Sequence, residues 1–102
     1  MTELEQIAAS VAKALGLKEY EHEAARRNYW TDGKEAFRKD GDGLFNAHWQ
    51  VQARDWLLER GWSMLQFPDI GSIGGHNKSI HLECPAAEFC ARAIHELMGE
   101  KP

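Results

Sequence analysis

Five side chains that can bind zinc lie within twenty residues near the end of the sequence: His76, His81, Cys84, Cys90 and His95. Zinc takes four nitrogen or sulfur ligands, so a zinc centre is the first chemistry that these residue types suggest. Their spacings match neither C-x-x-C nor H-x-x-x-H, the patterns that place two ligands side by side. A site would therefore depend on the elements that orient these residues.

Two predicted elements carry most of these candidates. Residues 79–84 alternate in polarity like a β-strand. Residues 86–98 then show the apolar repeat of an α-helix, with Pro85 in its first turn and Gly99 at its end. We therefore expect a strand that leads directly into a helix.

This strand and helix separate the candidate ligands. Side chains on a strand alternate between faces, which puts His81 on the side opposite Cys84. On the helix, Cys90 falls within the apolar stripe and His95 lies roughly 140° away from it. We expect two buried thiols and two solvent-facing histidines, with no metal ligand set. Zinc binding is kept as a third hypothesis for function.

The same burial argues against catalysis by a cysteine. An attacking thiolate needs access and a neighbour that lowers its pKa. Only Cys84 has such a neighbour, because the N terminus of the following helix could lower its pKa. No preorganised acid, base, nucleophile or cofactor motif is evident in the sequence. We therefore expect a protein that is not an enzyme and uses no cofactor.

The glycine-rich residues 71–78 are the best candidate for binding a ligand. Glycines can turn successive N–H groups into a concave nest that accepts an anion such as a nucleotide phosphate. Their spacing fits neither a Walker loop nor a dinucleotide fingerprint. A flexible hairpin tip has the same composition, so both interpretations stay open. The predicted ligand-binding residues are Ser72, Gly74, Gly75, His76, Asn77 and Lys78.

Two further helices are predicted. Thr2 and Glu5 have the spacing of a capping box, and apolar residues recur on one face until Gly16 ends the first helix. Asn46 is a suitable N-cap for a second helix over residues 47–60.

Residues 17–45 have no clear hydrophobic period. A short polar helix over residues 18–28 is one interpretation, and Tyr29, Trp30 and Phe37 are expected in small strands or as loop anchors. Tyr29 and Trp30 are the predicted partner-binding residues, since exposed aromatic side chains dominate protein interfaces. The alternative, that Trp30 closes the edge of a small core, stays open.

The fold class follows from the order of these elements. Residues 62–67 alternate as a strand that Pro68 ends, and we expect them to pair antiparallel with residues 79–84. Residues 69–78 would then be the long tip of this hairpin. We expect a single α+β domain over residues 1–102, with helices packed on a small antiparallel sheet in the order helix, irregular segment, helix, strand, strand, helix.

Composition limits the classes of partner. A formal net charge of −4 and a pI near 5.7 give no basic face for nucleic acid. No apolar run is long enough to span a membrane, and no secretory signal is evident, so a cytoplasmic protein with reduced thiols is expected.

The elements follow one another in a recognisable order. An N-terminal helix ends at Leu15-Gly16 and is followed by an aromatic-bearing variable stretch, a helix containing Trp49, Ala53, Trp56, Leu57 and Leu58, a two-strand unit, and a closing helix that starts at Pro85-Ala86-Ala87. In this order, and mainly between about residues 45 and 97, the chain resembles small bacteriophage proteins of the phage ABA-sandwich and NinX-like types. The resemblance implies a phage or prophage accessory protein with no assigned chemistry.

Three functional hypotheses follow. The first is a non-enzymatic phage accessory protein that binds a host or phage protein, as an effector in host takeover or host defence would, and that self-associates. The second is a nucleotide- or anion-binding protein that uses residues 71–78, and the third is the zinc protein.

Overall fold

The computed structural model of the chain describes residues 2–22 and 27–99. Within these residues, three α-helices and two three-stranded antiparallel sheets form an α+β fold, as predicted. The elements are α1 (Glu3–Leu15), β1 (Lys18–His22), β2 (Arg27–Thr31), β3 (Ala36–Arg38), α2 (Ala47–Glu59), β4 (Ser63–Gln66), β5 (Gly71–Gly75), β6 (Lys78–Leu82) and α3 (Ala86–Gly99). Strands β1 to β3 form sheet A, and strands β4 to β6 form sheet B. The chain thus runs twice through a helix and a three-stranded sheet before α3 closes it.

Helix α1 begins as its sequence predicts. The Thr2 hydroxyl accepts a hydrogen bond from the Glu5 N–H at 3.2 Å, and the Glu5 carboxylate accepts one from the Thr2 N–H at 3.2 Å. This capping box satisfies N–H groups that have no partner within the helix. Ile7, Ala8 and Val11 form its buried face.

Helices α1 and α2 end in the same way. Gly16 and Gly61 both adopt the left-handed conformation, with φ of 68° and 84°. The next residue then donates its N–H five positions back, from Leu17 to Ala12 at 2.9 Å and from Trp62 to Leu57 at 3.1 Å. Such an ending satisfies free carbonyl groups and turns the chain sharply into the following strand.

Residues 18–22, 27–31 and 36–38 are strands, and the interpretation of 18–28 as a polar helix is wrong for the part that is described. These strands form sheet A, in which Trp30 pairs with Glu19 on one side and with Phe37 on the other. Residues 23–26 lie outside the described residues. The sequence of this segment lacks a regular hydrophobic pattern because strand β1 is rich in charged residues. Only β2 and β3 bring large apolar side chains to the core.

Sheet B also differs from the prediction. Strand β4 lies within residues 62–67, as expected, but its neighbour is β5 and not β6. Residues 71–75, predicted as part of a flexible tip, are the central strand of the sheet. The predicted hairpin between β4 and β6 is therefore wrong.

Close packing explains why glycine occupies this central strand. A Cβ atom at Gly71 would lie 2.6 Å from two ring carbons of Phe89 on α3, a distance that carbon atoms do not tolerate. Phe89 is itself fully buried. The glycine therefore marks a close approach of strand and helix, which is one of the known uses of glycine within strands.

Helix α3 is the centre of the core. It packs against helices α1 and α2 and against strands β5 and β6. Ile73 and Ile94 belong to the same buried cluster, and Phe37 of sheet A joins it edge-on to Trp49 with ring centroids 4.9 Å apart. Both sheets therefore reach one continuous core.

Substitution of Gly71 tests this packing. We expect Gly71→Ala to lower the free energy of unfolding by about 2 kcal/mol, because the added methyl group must displace the Phe89 ring. Gly74→Ala is the matched control in the same strand, since its Cβ would meet only a carbonyl oxygen at 3.8 Å. Urea denaturation measures both, and equal stability of the two variants would contradict the close approach.

Candidate functional site

The face of sheet B that points away from the helices is the candidate functional surface. Strand register places Leu65, Ser72 and His81 side by side, whereas Met64, Ile73 and Ile80 form the adjacent row. Because Ile73 is buried in the core, the first row points outward. We call this side the outer face.

Apolar side chains surround an open hollow on the outer face. Leu65, Phe67 and Ile70 are 58%, 53% and 44% exposed, and with Gly71, Ser72 and His81 they line a hollow of about 200 Å³. The hollow exists because small residues in β5 lie between larger neighbours. Covering such half-exposed side chains would contribute roughly 1 kcal/mol each.

The hollow lies beside an unprotected sheet edge. Proteins usually protect edge strands from association with charged side chains. The other edge strands carry charge, for example Lys18 and Glu19 in β1, Arg38 in β3 and Lys78 in β6. Among the edge strands within residues 2–22 and 27–99, only β4 has no charged residue.

The structure divides the predicted ligand-binding residues between strand β5, a turn and the start of strand β6. Ser72, Gly74 and Gly75 lie in β5, where the backbone pairs with β4 and β6. A nest needs N–H groups that converge on an anion, and the ladders of a sheet use these groups instead. Only Ser72 of the six lines the hollow.

The rest of the predicted loop is a tight turn. His76 and Asn77 have φ of 51° and 61°, the pattern of a two-residue hairpin turn, and Lys78 begins β6. His76 Nε2 donates to the Arg60 carbonyl at 2.7 Å, and its ring lies edge-on to Trp62. These contacts give His76 a structural role at the end of α2.

Both thiols are buried, as predicted. Burial raises the pKa of the Cys84 and Cys90 thiols, which disfavours the thiolate form of both. Cys90 Sγ accepts a hydrogen bond from Gln66 Nε2 at 3.6 Å and lies 4.0 Å from Met64 Sδ. Cys90 is therefore part of the seam between sheet B and α3.

The histidines considered for zinc point in different directions. His81 is exposed on the outer face, as predicted. His95 is not solvent-facing, since it is half-buried with Nδ1 2.8 Å from the Ser10 hydroxyl of α1. In the described part of the chain, no group of three histidine, cysteine or acidic residues is arranged to hold a metal ion.

The predicted partner-binding residues lie in the central strand of sheet A. Trp30 is half-buried and packs against the hydrophobic core. The ammonium group of Lys39 lies 4.7 Å from the centre of its ring and also pairs with Glu19 at 3.2 Å. Tyr29 is half-buried too, edge-on to Tyr20. This packing favours the alternative interpretation, in which Trp30 closes the edge of the core.

A polar cluster around Asp32 was not anticipated from the sequence. Asp32 Oδ1 accepts the N–H groups of Lys34 and Glu35 at 2.8 and 2.9 Å. Its Oδ2 accepts hydrogen bonds from His48 Nε2 at 2.8 Å and from Gln52 Nε2 at 3.2 Å. The cluster therefore fastens the turn between β2 and β3 to α2.

These bonds change the acidity of Asp32. The hydrogen bond from the Glu35 N–H, followed by those from Lys34 and His48, lowers its pKa to about 2, against an opposing effect of desolvation. The ionised carboxylate is thus the form that the fold stabilises.

Comparisons of the chain with protein-family models, curated proteins and solved structures found no match. The resemblance to small bacteriophage proteins stays a prediction. Separately, no helix within residues 2–22 and 27–99 has both the length and the apolar character needed to cross a membrane.

Removal of the Asp32 carboxylate tests the polar cluster. We expect Asp32→Ala to cost about 1 kcal/mol of unfolding free energy at neutral pH, since solvent screens part of the charge-assisted bonding. Because the folded-state pKa is below the unfolded value, this contribution is present above about pH 4 and disappears as the pH falls towards 2. Thermal unfolding between these pH values measures the difference. Asp55→Ala on the exposed side of α2 is the control. A stability difference between the wild type and Asp32→Ala that does not change with pH would contradict the lowered pKa of Asp32.

Proposed function

We propose that this chain is a non-enzymatic protein that binds a second protein through the outer face of sheet B. The observation that carries the proposal is the cluster of Leu65, Phe67 and Ile70 around the hollow, since exposed apolar side chains grouped on one face often mark an interaction site. None of the three belongs to the buried core cluster.

We infer the chemistry of the partner from the residues that line the hollow. The hollow is open, mainly apolar, and has Ser72 and His81 on one side as polar groups. One large aliphatic or aromatic side chain would fit a space of about 200 Å³. The partner would thus present an uncharged apolar side chain, with a hydrogen-bonding group nearby for the serine or histidine.

The proposal also concerns the origin of the bound protein. If the resemblance to bacteriophage accessory proteins holds, the bound protein belongs to the host or to the phage. Nucleotide or anion binding by residues 71–78 stays a prediction. The pairing of residues 71–75 with both β4 and β6 argues against an anion nest in that part.

A charge placed at the hollow tests the proposal. We expect Ile70→Lys to reduce capture of the bound protein at least about tenfold, because the ammonium group would lose water in an apolar contact. Leu58→Lys is the matched control, since Leu58 is 46% exposed on α2 and Ile70 is 44% exposed.

The measurement compares proteins retained from a bacterial lysate by the tagged wild type and by each variant. Support requires a protein that the wild type and Leu58→Lys retain and that Ile70→Lys loses, with the same melting temperature for all three baits. Identical retention by all three would contradict a role for the hollow.

A further inference from the structure

We propose that β4 pairs antiparallel with β4 of a second copy of this chain, which would join two copies of sheet B into one six-stranded sheet. The two-fold axis of such a pair is perpendicular to the sheet, so both outer faces lie on the same side. The pairing of the strands does not depend on the proposed function. Only the binding of a partner by the two combined outer faces rests on it.

The first argument is the chemistry of the edge. Among residues 2–22 and 27–99, β5 is the only strand that pairs with β4, so the other side of β4 is a sheet edge at which a further strand could continue the ladder. Its four residues, Ser63 to Gln66, carry no charge, and three of them are exposed. Pairing of two such strands would therefore bring no like charges together within the ladder.

The second argument is the self-complementarity of the side chains. Residues directly opposite in an antiparallel pair point to the same face. With the two-fold axis at Leu65, this residue meets Leu65 of the second copy and Ser63 lies opposite Phe67. The two most exposed apolar side chains of the hollow, 58% and 53% exposed, would then pack across the new junction.

The third argument is charge at the ends of the strand. Arg60 precedes β4 and Asp69 follows it. An antiparallel arrangement brings Arg60 of one copy to the same end as Asp69 of the other, so the flanking charges are of opposite sign. Exposed charge pairs add little affinity, but they favour this orientation over a parallel one.

The size of the contact between the two copies determines the affinity that we expect for the dimer. One short strand pair with a few apolar side chains is smaller than a standard protein interface. We therefore expect a reversible dimer with a dissociation constant on the order of 10–100 µM.

Sedimentation velocity on the purified full chain, from about 5 to about 500 µM, tests the pairing across this range of constants. The wild type is expected to shift from monomer to dimer, and Leu65→Lys to raise the dissociation constant at least about tenfold by placing two ammonium groups face to face. Val51→Lys, at the same 58% exposure on α2, should dimerise like the wild type. If Leu65→Lys does not fold, Leu65→Glu makes the same test, because it places two carboxylates face to face at the same position.

A wild type that stays monomeric overturns the inference. A charged Leu65 variant that folds and dimerises as tightly as the wild type also overturns it, as does a Val51→Lys variant that loses the dimer. Ile70→Lys separates this result from the proposed function, because Ile70 lies outside β4. It should dimerise normally while failing to capture a partner. A monomeric wild type that still captures a partner through the hollow would refute the dimer alone.

Discussion

The structure depends on the contact between the Phe89 ring and the backbone of Gly71. Helix α3 packs against both other helices and against two strands of sheet B, so its distance from β5 determines how the core closes. A Cβ atom at position 71 would overlap the ring, and its absence allows β5 to lie directly on the helix. Ile73, two residues along the same face, then becomes fully buried.

The placement of β5 determines what sheet B offers to the solvent. With β5 in the centre, β4 becomes an edge strand whose four residues are uncharged. The outward residue Ser72 is small, which leaves room between Leu65 and His81. The exposed apolar side chains of the outer face are therefore not part of the buried core. This separation of core and surface supports an interaction role for the outer face.

Sequence reasoning succeeded where the structural signal is local. The capping residues Thr2 and Asn46, and the position of Cys90 within an apolar helical stripe, are recognised from neighbours within a few positions. The structure confirms both caps and the burial of Cys90. It failed at residues 71–75, because glycine has the same local signature in a flexible loop and in a strand pressed against a helix. The decisive neighbour, Phe89, is remote in the sequence.

The candidate site was only partly predictable for the same reason. The alternation of residues 62–67 placed Leu65 and Phe67 on one side of the strand, but only the pairing with β5 shows that this side points to solvent. Likewise, the bonds from Asp32 to His48 and from Ser10 to His95 join residues far apart in the chain. No periodicity records such contacts, which explains why His95 was expected in solvent.

Amide hydrogen exchange of dilute protein, followed by NMR, tests the central claim most directly. If residues 71–75 are the middle strand of sheet B, their amides are hydrogen-bonded within the sheet and exchange slowly, with protection close to that of the core of α3. If they form the flexible tip that their composition suggests, the same amides exchange at the rate of an unstructured chain. That result would contradict the position of β5, the edge character of β4 and the hollow on the outer face.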